Sequence, residues 1–321
     1  MVKPGYKETE VGVIPEDWEV CQLKRIAPLQ RGFDLPYSQM IDGPYPVVFS
    51  NGIGAHHNKY AVKGPGVITG RSGTIGKVHY ISDDYWPHNT ALWVTNFNNN
   101  YPRFIYYLFS TINWNLFNSG SGVPTLNRND IHELKFSIPP EPEQQKIAEA
   151  LSDMDELIAS LEKLIAKKKA IKQGAMQELL TGKKRLPGIM QSMWKTQALK
   201  DVCFINPGTQ NEIPSNFYYI DLESVVKGKL LTKKYLSKSD APSRAKREFA
   251  YQDILYQTVR PYQKNNLFVD FNASQYIAST GYAVIRANRN TVNPMYLYQY
   301  LHTDRFVEDV LDNCTGTSYF K

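Results

Sequence analysis

The chain has 321 residues, of which 42% are hydrophobic and 21% charged, and it carries a net charge of +6. These values exclude a chain that is disordered throughout, and a domain size of about 100–200 residues predicts two packed domains. The moderate positive charge allows an anionic partner such as nucleic acid without requiring one.

The cysteines and the amino terminus indicate the compartment. Cys21, Cys203 and Cys314 are far apart in the sequence and form no CxxC pair, so we expect neither a disulfide framework nor a zinc site. The first 20 residues lack the apolar core of a signal peptide, and no stretch reaches the roughly 18 apolar residues of a membrane span. The sequence therefore predicts a cytoplasmic protein.

Residues 1–140 are predicted to form a first β-rich domain, with short strand-like runs separated by Gly, Pro and Asn. Two polar loops, SNGIGAHHNKY at 50–60 and TGRSGTIGKV at 69–78, are its candidate DNA-binding segments, and Arg71 is the candidate base reader. The alternatives are a solvated loop for the first segment and, for the second, a structural turn with Arg71 in a salt bridge. The candidate residues are Asn51, His56, His57, Asn58, Lys59, Arg71, Ser72, Thr74 and Lys77.

Residues 141–187 are predicted to contain one long helix, because residues 141–180 hold no aromatic residue and no proline after Pro142. The helix begins after SIPPEPEQQ and stops near Gly182 and Pro187, and about 38 residues at about 1.5 Å each give about 57 Å. Apolar residues recur in three heptad rows and form a broad apolar face. The candidate helix-pairing residues are Ile147, Leu151, Met154, Leu157, Ile158, Leu161, Leu164 and Ile165.

Charge along this helix is polarised. Residues 141–162 carry seven acidic side chains and one lysine, whereas residues 163–187 carry eight basic side chains and one glutamate. An antiparallel partner helix of the same type would place opposite charges side by side, while a parallel partner would pair like charges. The pattern therefore favours an antiparallel helical pair. The alternative is a solvated helix docked on its own domain.

Residues 188–321 are predicted to form a second domain that repeats the first. WEVCQLKRIAPLQRG at 18–32 resembles WKTQALKDVCFINPG at 194–208, and the segments that begin helices at 101–110 and 293–302 are also alike, as are 118–124 and 313–319. Gln257, Arg260, Tyr262 and Lys264 are expected to take the place of the Arg71 loop. A basic run at 227–247 is expected to contact phosphates. Its residues are Lys233, Lys234, Lys238, Arg244, Lys246 and Arg247.

The sequence contains no convincing motif for methyl transfer, DNA cleavage or metal binding. NPMY at 293–296 has Met295 where amino-methyltransferase loops carry a second proline, and no glycine-rich cofactor loop precedes it. ELK at 133–135 lacks the partner carboxylate of a nuclease site, and the adjacent His56 and His57 do not have metal-ligand spacing. We expect no catalytic residue, no metal and no cofactor.

The chain as a whole resembles the specificity subunit of a type I restriction-modification enzyme. Three segments carry the resemblance: YKETEVGVIPEDWEV at 6–20, IPPEPEQQKIAEAL at 138–151 and ELLTGKKRLPG at 178–188. It implies an α+β protein, with two β-rich target-recognition domains of similar fold joined by a long coiled-coil-forming helix. It also implies a non-catalytic subunit that recognises a bipartite site in double-stranded DNA and scaffolds methyltransferase (M) and restriction (R) subunits.

The sequence departs from the family pattern at its end. Family members carry a second conserved helix after the second domain, whereas this chain ends at Lys321. We therefore expect a truncated chain, either a natural gene product or an engineered piece, that pairs as a homodimer through its single long helix or binds methyltransferase through it. The competing hypotheses are a self-contained DNA methyltransferase or nuclease, which the missing active-site motifs disfavour, and a structural assembly factor, which the two large β-rich domains disfavour.

Overall fold

The computed structural model describes residues 2–120, 122–188, 194–208 and 213–313. The chain divides into two units, residues 1–163 and 164–321, and the division falls within one long helix. Cys314 and the compared segment 314–319 lie outside the described residues. The mixture of short strands and helices confirms the predicted α+β class.

The first unit is built from two small sheets covered by short helices. A four-stranded antiparallel sheet has the order β4-β10-β7-β8, and a second sheet has the order β6-β5-β9, in which β5 pairs antiparallel with β6 and parallel with β9. The strands and helices are β1 (Tyr6–Thr9), β2 (Gly12–Pro15), β3 (Glu19–Gln22), α1 (Leu23–Ile26), β4 (Leu29–Arg31), β5 (Tyr45–Phe49), β6 (Gly52–His57), β7 (Gly66–Gly70), β8 (Val78–Ile81), β9 (Trp86–Pro87), β10 (Ala91–Val94), α2 (Pro102–Ser110), α3 (Arg128–His132), β11 (Lys135–Ile138) and α4 (Glu141–Leu179).

The second unit repeats this pattern. Its antiparallel sheet has the order β12-β21-β18-β19, and in its other sheet β13 pairs antiparallel with β16 and parallel with β20. The strands and helices are α5 (Leu199–Val202), β12 (Cys203–Ile205), β13 (Asn216–Ile220), β14 (Val225–Val226), β15 (Lys229–Leu230), β16 (Lys234–Ser237), β17 (Ala245–Glu248), β18 (Ile254–Gln257), β19 (Leu267–Phe268), β20 (Tyr276–Ser279), β21 (Tyr282–Ala287), α6 (Pro294–Tyr300) and α7 (Asp304–Asp312).

The predicted internal repeat is thus confirmed in the order of strand pairing. In each unit the first strand of the antiparallel sheet pairs with its last strand, which then pairs with the second. The matched residues Leu23 and Leu199 each begin a one-turn helix before that first strand. Helices also begin at Pro102 and Pro294, as predicted, because proline fits the first helical position.

The start of α4 is fixed to the first unit by a buried polar side chain. Gln144 donates from Nε2 to Asn100 Oδ1 at 2.8 Å and to the Pro139 carbonyl at 3.0 Å, and its Oε1 accepts from the Tyr101 amide at 2.8 Å. Trp18 donates from Nε1 to Glu143 at 3.0 Å. A buried amide is tolerated when its hydrogen bonds are made, so the EPEQQ segment anchors the helix.

The end of α4 packs within the second unit. The helix ends at Leu179, just before the predicted stop signal at Gly182, which has the positive φ of +71° that favours glycine after a helix. Tyr296 donates its hydroxyl to the Leu180 carbonyl at 3.4 Å. None of the helices in the described part of the chain is long and apolar enough to cross a membrane.

A buried histidine makes the stability of the first unit sensitive to acid. The His132 ring accepts at Nε2 from the Leu29 amide at 2.9 Å, a role that requires the unprotonated ring. Burial, and then the charges of Arg128 and Lys24, lower the pKa of His132. A lowered folded-state pKa contributes stability above the ordinary value near 6.5, and this contribution is lost as the pH falls below it.

We therefore expect the free energy of unfolding of the first unit to fall below pH about 6.5, by up to about 1.4 kcal/mol per pH unit for this one histidine. Urea unfolding between pH 5 and 8, followed by fluorescence, measures it. In His132→Gln the amide oxygen can still accept the Leu29 bond but does not titrate, so the slope should be shallower than in wild type. An equal slope in both proteins would contradict this role of His132.

Candidate nucleic-acid interface

The loop after β7 holds Arg71 in a fixed backbone position. The Arg71 amide donates to the Thr90 carbonyl and the Arg71 carbonyl accepts from the Leu126 amide, both at 2.8 Å. The guanidinium donates from Nη1 to the Asn89 carbonyl at 3.2 Å, and the residue is half-buried. Because one donor is used internally, several guanidinium donors stay available for a ligand. Hydrogen bonds therefore fix the position of Arg71, the candidate base reader.

The rest of this glycine-rich loop folds back tightly on the strand. A Cβ on Gly70 would lie 1.7 Å from the Thr74 carbonyl oxygen, so only glycine permits the turn. Ser72 forms an isolated bridge with Thr125, and Ser72 and Thr74 are partly buried, whereas Lys77 is exposed. Lys77 is thus the residue of this loop most accessible to a phosphate.

The other polar loop of the first unit, at residues 50–60, is only partly accessible to a ligand. Asn51, His56, Asn58 and Lys59 are exposed, but His57 is buried and shares a hydrogen bond of 3.1 Å between its Nδ1 and Ile41. His57 therefore belongs to the packing of the β5–β6 hairpin, and the other four remain candidates.

In the second unit, the segment that replaces the Arg71 loop has a different register. The Thr258 amide donates to the Gly281 carbonyl at 2.9 Å, just before β21, as the Arg71 amide does to Thr90 just before β10. Thr258, not Arg260, therefore occupies the position equivalent to Arg71. Arg260 lies two residues further on, exposed and in a left-handed conformation with φ of +57°.

The neighbours of Arg260 differ in how accessible they are to a ligand. Gln257 is buried and donates from Nε2 to the Val259 carbonyl at 2.6 Å, so it acts inside the fold. Lys264 pairs with Asp304 at 2.5 Å and, as the main cause, holds the pKa of that carboxyl below its usual range. Arg260 and the exposed Tyr262 remain as candidates.

The basic run of the second unit contains both paired and accessible cations. Lys234 pairs with Asp221 at 2.6 Å, and this hydrogen bond raises the pKa of Lys234. Arg244 and Lys246 are exposed, whereas Arg247 is partly buried. Arg244 and Lys246 are therefore the better candidates for phosphate contacts.

A row of tyrosines on the same unit was missed by sequence reasoning. Tyr218 lies opposite Tyr235 on one neighbouring strand and opposite Tyr276 on the other, with ring centroids 5.0 and 5.1 Å apart. The Lys233 ammonium lies 4.4 Å from the centre of the Tyr218 ring and donates to the Tyr276 hydroxyl at 3.0 Å. The aromatic and β-branched run NFYYI at 216–220 is typical of a strand, but it does not indicate which face of the strand would be covered.

A polar cleft of about 690 Å³ beside Arg71 was also missed. Arg31, Asp34 and Arg128 line it together with Arg71. They come from three separate segments, and no local pattern in the sequence indicates that these segments meet.

The apolar face of α4 is exposed, as the pairing hypothesis requires. Ile147 is the exception, because it packs against the core of the first unit. The others are each 41–55% exposed: Leu151, Met154, Leu157, Ile158, Leu161, Leu164 and Ile165, together with Ile171.

The two segments considered for catalysis have structural roles. Asn293 caps α6, since its side chain accepts from the amides of Met295 and Tyr296 at 2.8 and 3.2 Å. Glu133 accepts from Gln22 at 2.9 Å and Lys135 pairs with Glu10 at 2.6 Å. No group of three or more metal-ligating side chains occurs within the described ranges.

Comparison with known proteins shows which family and which relatives this chain resembles. Residues 15–173 match the family described as type I restriction modification DNA specificity domain. The specificity subunit of the type I restriction enzyme HindI from Haemophilus influenzae is 30% identical over 130 residues, 39% of this chain and 28% of that subunit. The putative MjaX specificity subunit of Methanocaldococcus jannaschii is 26% identical over 225 residues, 55% of this chain and 48% of that subunit. The matches thus span less than half the length of these two relatives.

Solved structures share the fold. The S subunit of a type I restriction-modification system from M. genitalium has a TM-score of 0.59 at 15% identity, covering 92% of this chain and 79% of that chain. A chain from a study of complex assembly and conformational transition of the type I R-M system has a TM-score of 0.53 at 16% identity, covering 92% of this chain and 82% of that chain. At such identities the likeness concerns the fold alone.

Proposed function

We propose that this chain, which belongs to the type I restriction-modification DNA specificity family, reads a bipartite site in double-stranded DNA with its two β-rich domains. The observation that supports this best is the repeated strand order of the two units, each with a polar loop after the second strand of its antiparallel sheet. Two copies of one fold with different loops suit two different half-sites.

In this proposal the domains are residues 1–140 and 188–321, and 141–187 is the helical spacer. Arg71 and Arg260 contact base edges, while exposed cations such as Lys77, Arg244 and Lys246 contact phosphates. Specificity subunits are generally non-catalytic, and we propose the same of this chain. Methyltransferase subunits, and restriction subunits through them, would supply the chemistry. The free thiols of Cys21 and Cys203 suit the cytoplasm.

The exposed face of α4 would pair with the same helix of a second copy of the chain. An apolar face of this extent is normally covered, and the acidic first half and basic second half are complementary only in an antiparallel pair. The helix face that docks on the first unit, which includes Gln144 and Ala148, is adjacent to the apolar face, since each residue advances about 100° around the helix. The apolar side chains from Leu151 to Ile165 stay exposed beside that contact, so both contacts can be made together.

A selection from duplex libraries with two random half-sites and variable gaps, using the chain with methyltransferase subunits, tests the function. We expect a split site whose half-site centres lie about one helical turn, roughly 10 base pairs, apart. Methylation of DNA by the chain alone would favour the self-contained enzyme instead.

An insertion tests the spacer role. Four residues added after Ala159 form about one helical turn and lengthen α4 by about 6 Å, so the preferred gap should grow by one or two base pairs at roughly 3.4 Å each. The half-sites themselves should stay the same. An unchanged gap in a folded insertion variant would mean that the helix does not set the spacing.

A further inference from the structure

The cleft beside Arg71 combines three arginines with a single carboxylate. Arg31, Arg71 and Arg128 line it with Asp34, which is mainly exposed, in a space of about 690 Å³. A cleft that served only to hold phosphate would gain nothing from a carboxylate, since two negative groups repel. Asp34 gives the cleft a hydrogen-bond acceptor beside its arginine donors, which suits a ligand that offers a donor as well as acceptors.

Asp34 is tied to Arg71 through one intermediate residue. Its Oδ1 accepts from Arg31 Nη2 at 2.8 Å and from the Asn89 side-chain amide, while the Asn89 carbonyl accepts from Arg71 at 3.2 Å. Both bonds to the carboxylate go to Oδ1. Within the part of the chain that the structure describes, Oδ2 accepts no hydrogen bond, so one carboxylate oxygen is available to a ligand.

The backbone near Asp34 is fixed as firmly as that of Arg71. The Gly32 amide donates to the Ala91 carbonyl at 3.0 Å and the Phe33 amide to the Pro87 carbonyl at 2.8 Å. A Cβ on Gly32 would lie 2.2 Å from the His88 carbonyl oxygen, so glycine allows this close approach. An arginine donor and a carboxylate acceptor thus line the same cleft on segments held by backbone hydrogen bonds.

The major-groove edges of base pairs differ in whether they match this arrangement. A G·C pair presents two acceptors, N7 and O6 of guanine, followed by the N4 amino donor of cytosine. An A·T pair presents acceptor, donor and acceptor, followed by a methyl group. Arginine is the usual partner of guanine N7 and O6, and Asp accepts from cytosine N4.

We propose that this cleft reads one G·C pair of the half-site contacted by the first unit. Arg71 donates to guanine, and Asp34 accepts at Oδ2 from the amino group of the paired cytosine. Asn89 is a positioning residue that links the two, and Arg31 orients the carboxylate. This proposal rests on the proposed function and deepens it, because it names the base pair that one domain selects.

The test is selection by the chain with methyltransferase subunits from duplexes with a randomised half-site, comparing wild type with Asp34→Asn and Arg71→Ala. We expect wild type to prefer G·C over A·T at one position by about tenfold or more, and each variant to lose most of this preference at that position alone. Asp17→Asn, an exposed carboxylate away from the cleft, is the matched control and should select the wild-type site.

The possible outcomes distinguish a failure of the cleft assignment from a failure of the proposed function. Duplex binding with unchanged preferences in Asp34→Asn and Arg71→Ala would overturn the cleft assignment while leaving the proposed function intact. Weakening that is equal for all sequences would mean that the cleft holds phosphate, which also overturns it. If wild type enriched no duplex, the proposed function itself would fail and the assignment with it. Urea unfolding checks each fold, and Asp34→Asn is decisive because that side chain is 64% exposed.

Discussion

Replacing Leu157 and Leu164 together by Asp is expected to abolish the self-association proposed for the chain. Both side chains are about half exposed, midway along α4 on its apolar face, so their loss should not disturb the fold of either unit. Pairing would bury two unpaired carboxylates from each chain, which costs several kcal/mol, so association should weaken at least about 100-fold. Sedimentation velocity at micromolar concentration measures the change.

The same helix offers a matched control. Ala159 and Ala166 are exposed, have the same seven-residue spacing and lie outside the apolar face, because each residue advances about 100° around a helix. Ala159→Asp with Ala166→Asp adds the same charge and should leave association unchanged. Equal association of the leucine variant and wild type, or a wild-type chain that sediments as a monomer, would show that this face does not pair two copies.

The sequence was most informative where structure depends on local spacing. The heptad rows and the flanking prolines and glycine predicted that α4 stops near Gly182, and it ends at Leu179, because helical periodicity and termination are local properties. The same rows did not separate Ile147 from Leu151. Ile147 packs on the first unit because Gln144 and Ala148 dock there, and docking depends on residues distant in sequence.

The repeat was recognisable, but its residue register was not. Matched leucines and helix starts indicated two copies of one fold, whereas Arg71 and Arg260 were paired because each follows a strand-like run. The hydrogen bond from Thr258 to Gly281 places Thr258 at the position of Arg71. Loops tolerate insertions and unusual φ angles, such as that of Arg260, so a sequence match cannot fix their register.

The cleft beside Arg71 could not be predicted from the sequence, for a related reason. Arg71 was identified from its glycine-rich loop, but Asp34 and Asn89 are 55 positions apart in the chain. Only the close approach of the backbone at Gly32 to the strand-end loop near His88 brings them together. Such a constellation is a property of the packed sheet and not of any one segment.

Gly70→Ala is expected to lower the free energy of unfolding far more than alanine at Gly122 or Gly174. The new Cβ would lie 1.7 Å from the Thr74 carbonyl oxygen and 3.1 Å from that of Ser50, and both are backbone atoms that cannot rotate away. Relief requires moving the loop that carries Arg71. We expect a loss of about 3 kcal/mol in the free energy of unfolding, measured in urea, and impaired sequence discrimination.

Two other glycines make the comparison quantitative. Gly122 is in the same unit, and a Cβ added there would meet nothing within 4 Å, so Gly122→Ala should be nearly neutral. Gly174 lies in α4 with similar open space, and Gly174→Ala should stabilise the helix by about 0.5–1 kcal/mol because glycine is the poorer helix former. If Gly70→Ala unfolded at the same urea concentration as Gly122→Ala, the tight turn would not be what holds Arg71 in place.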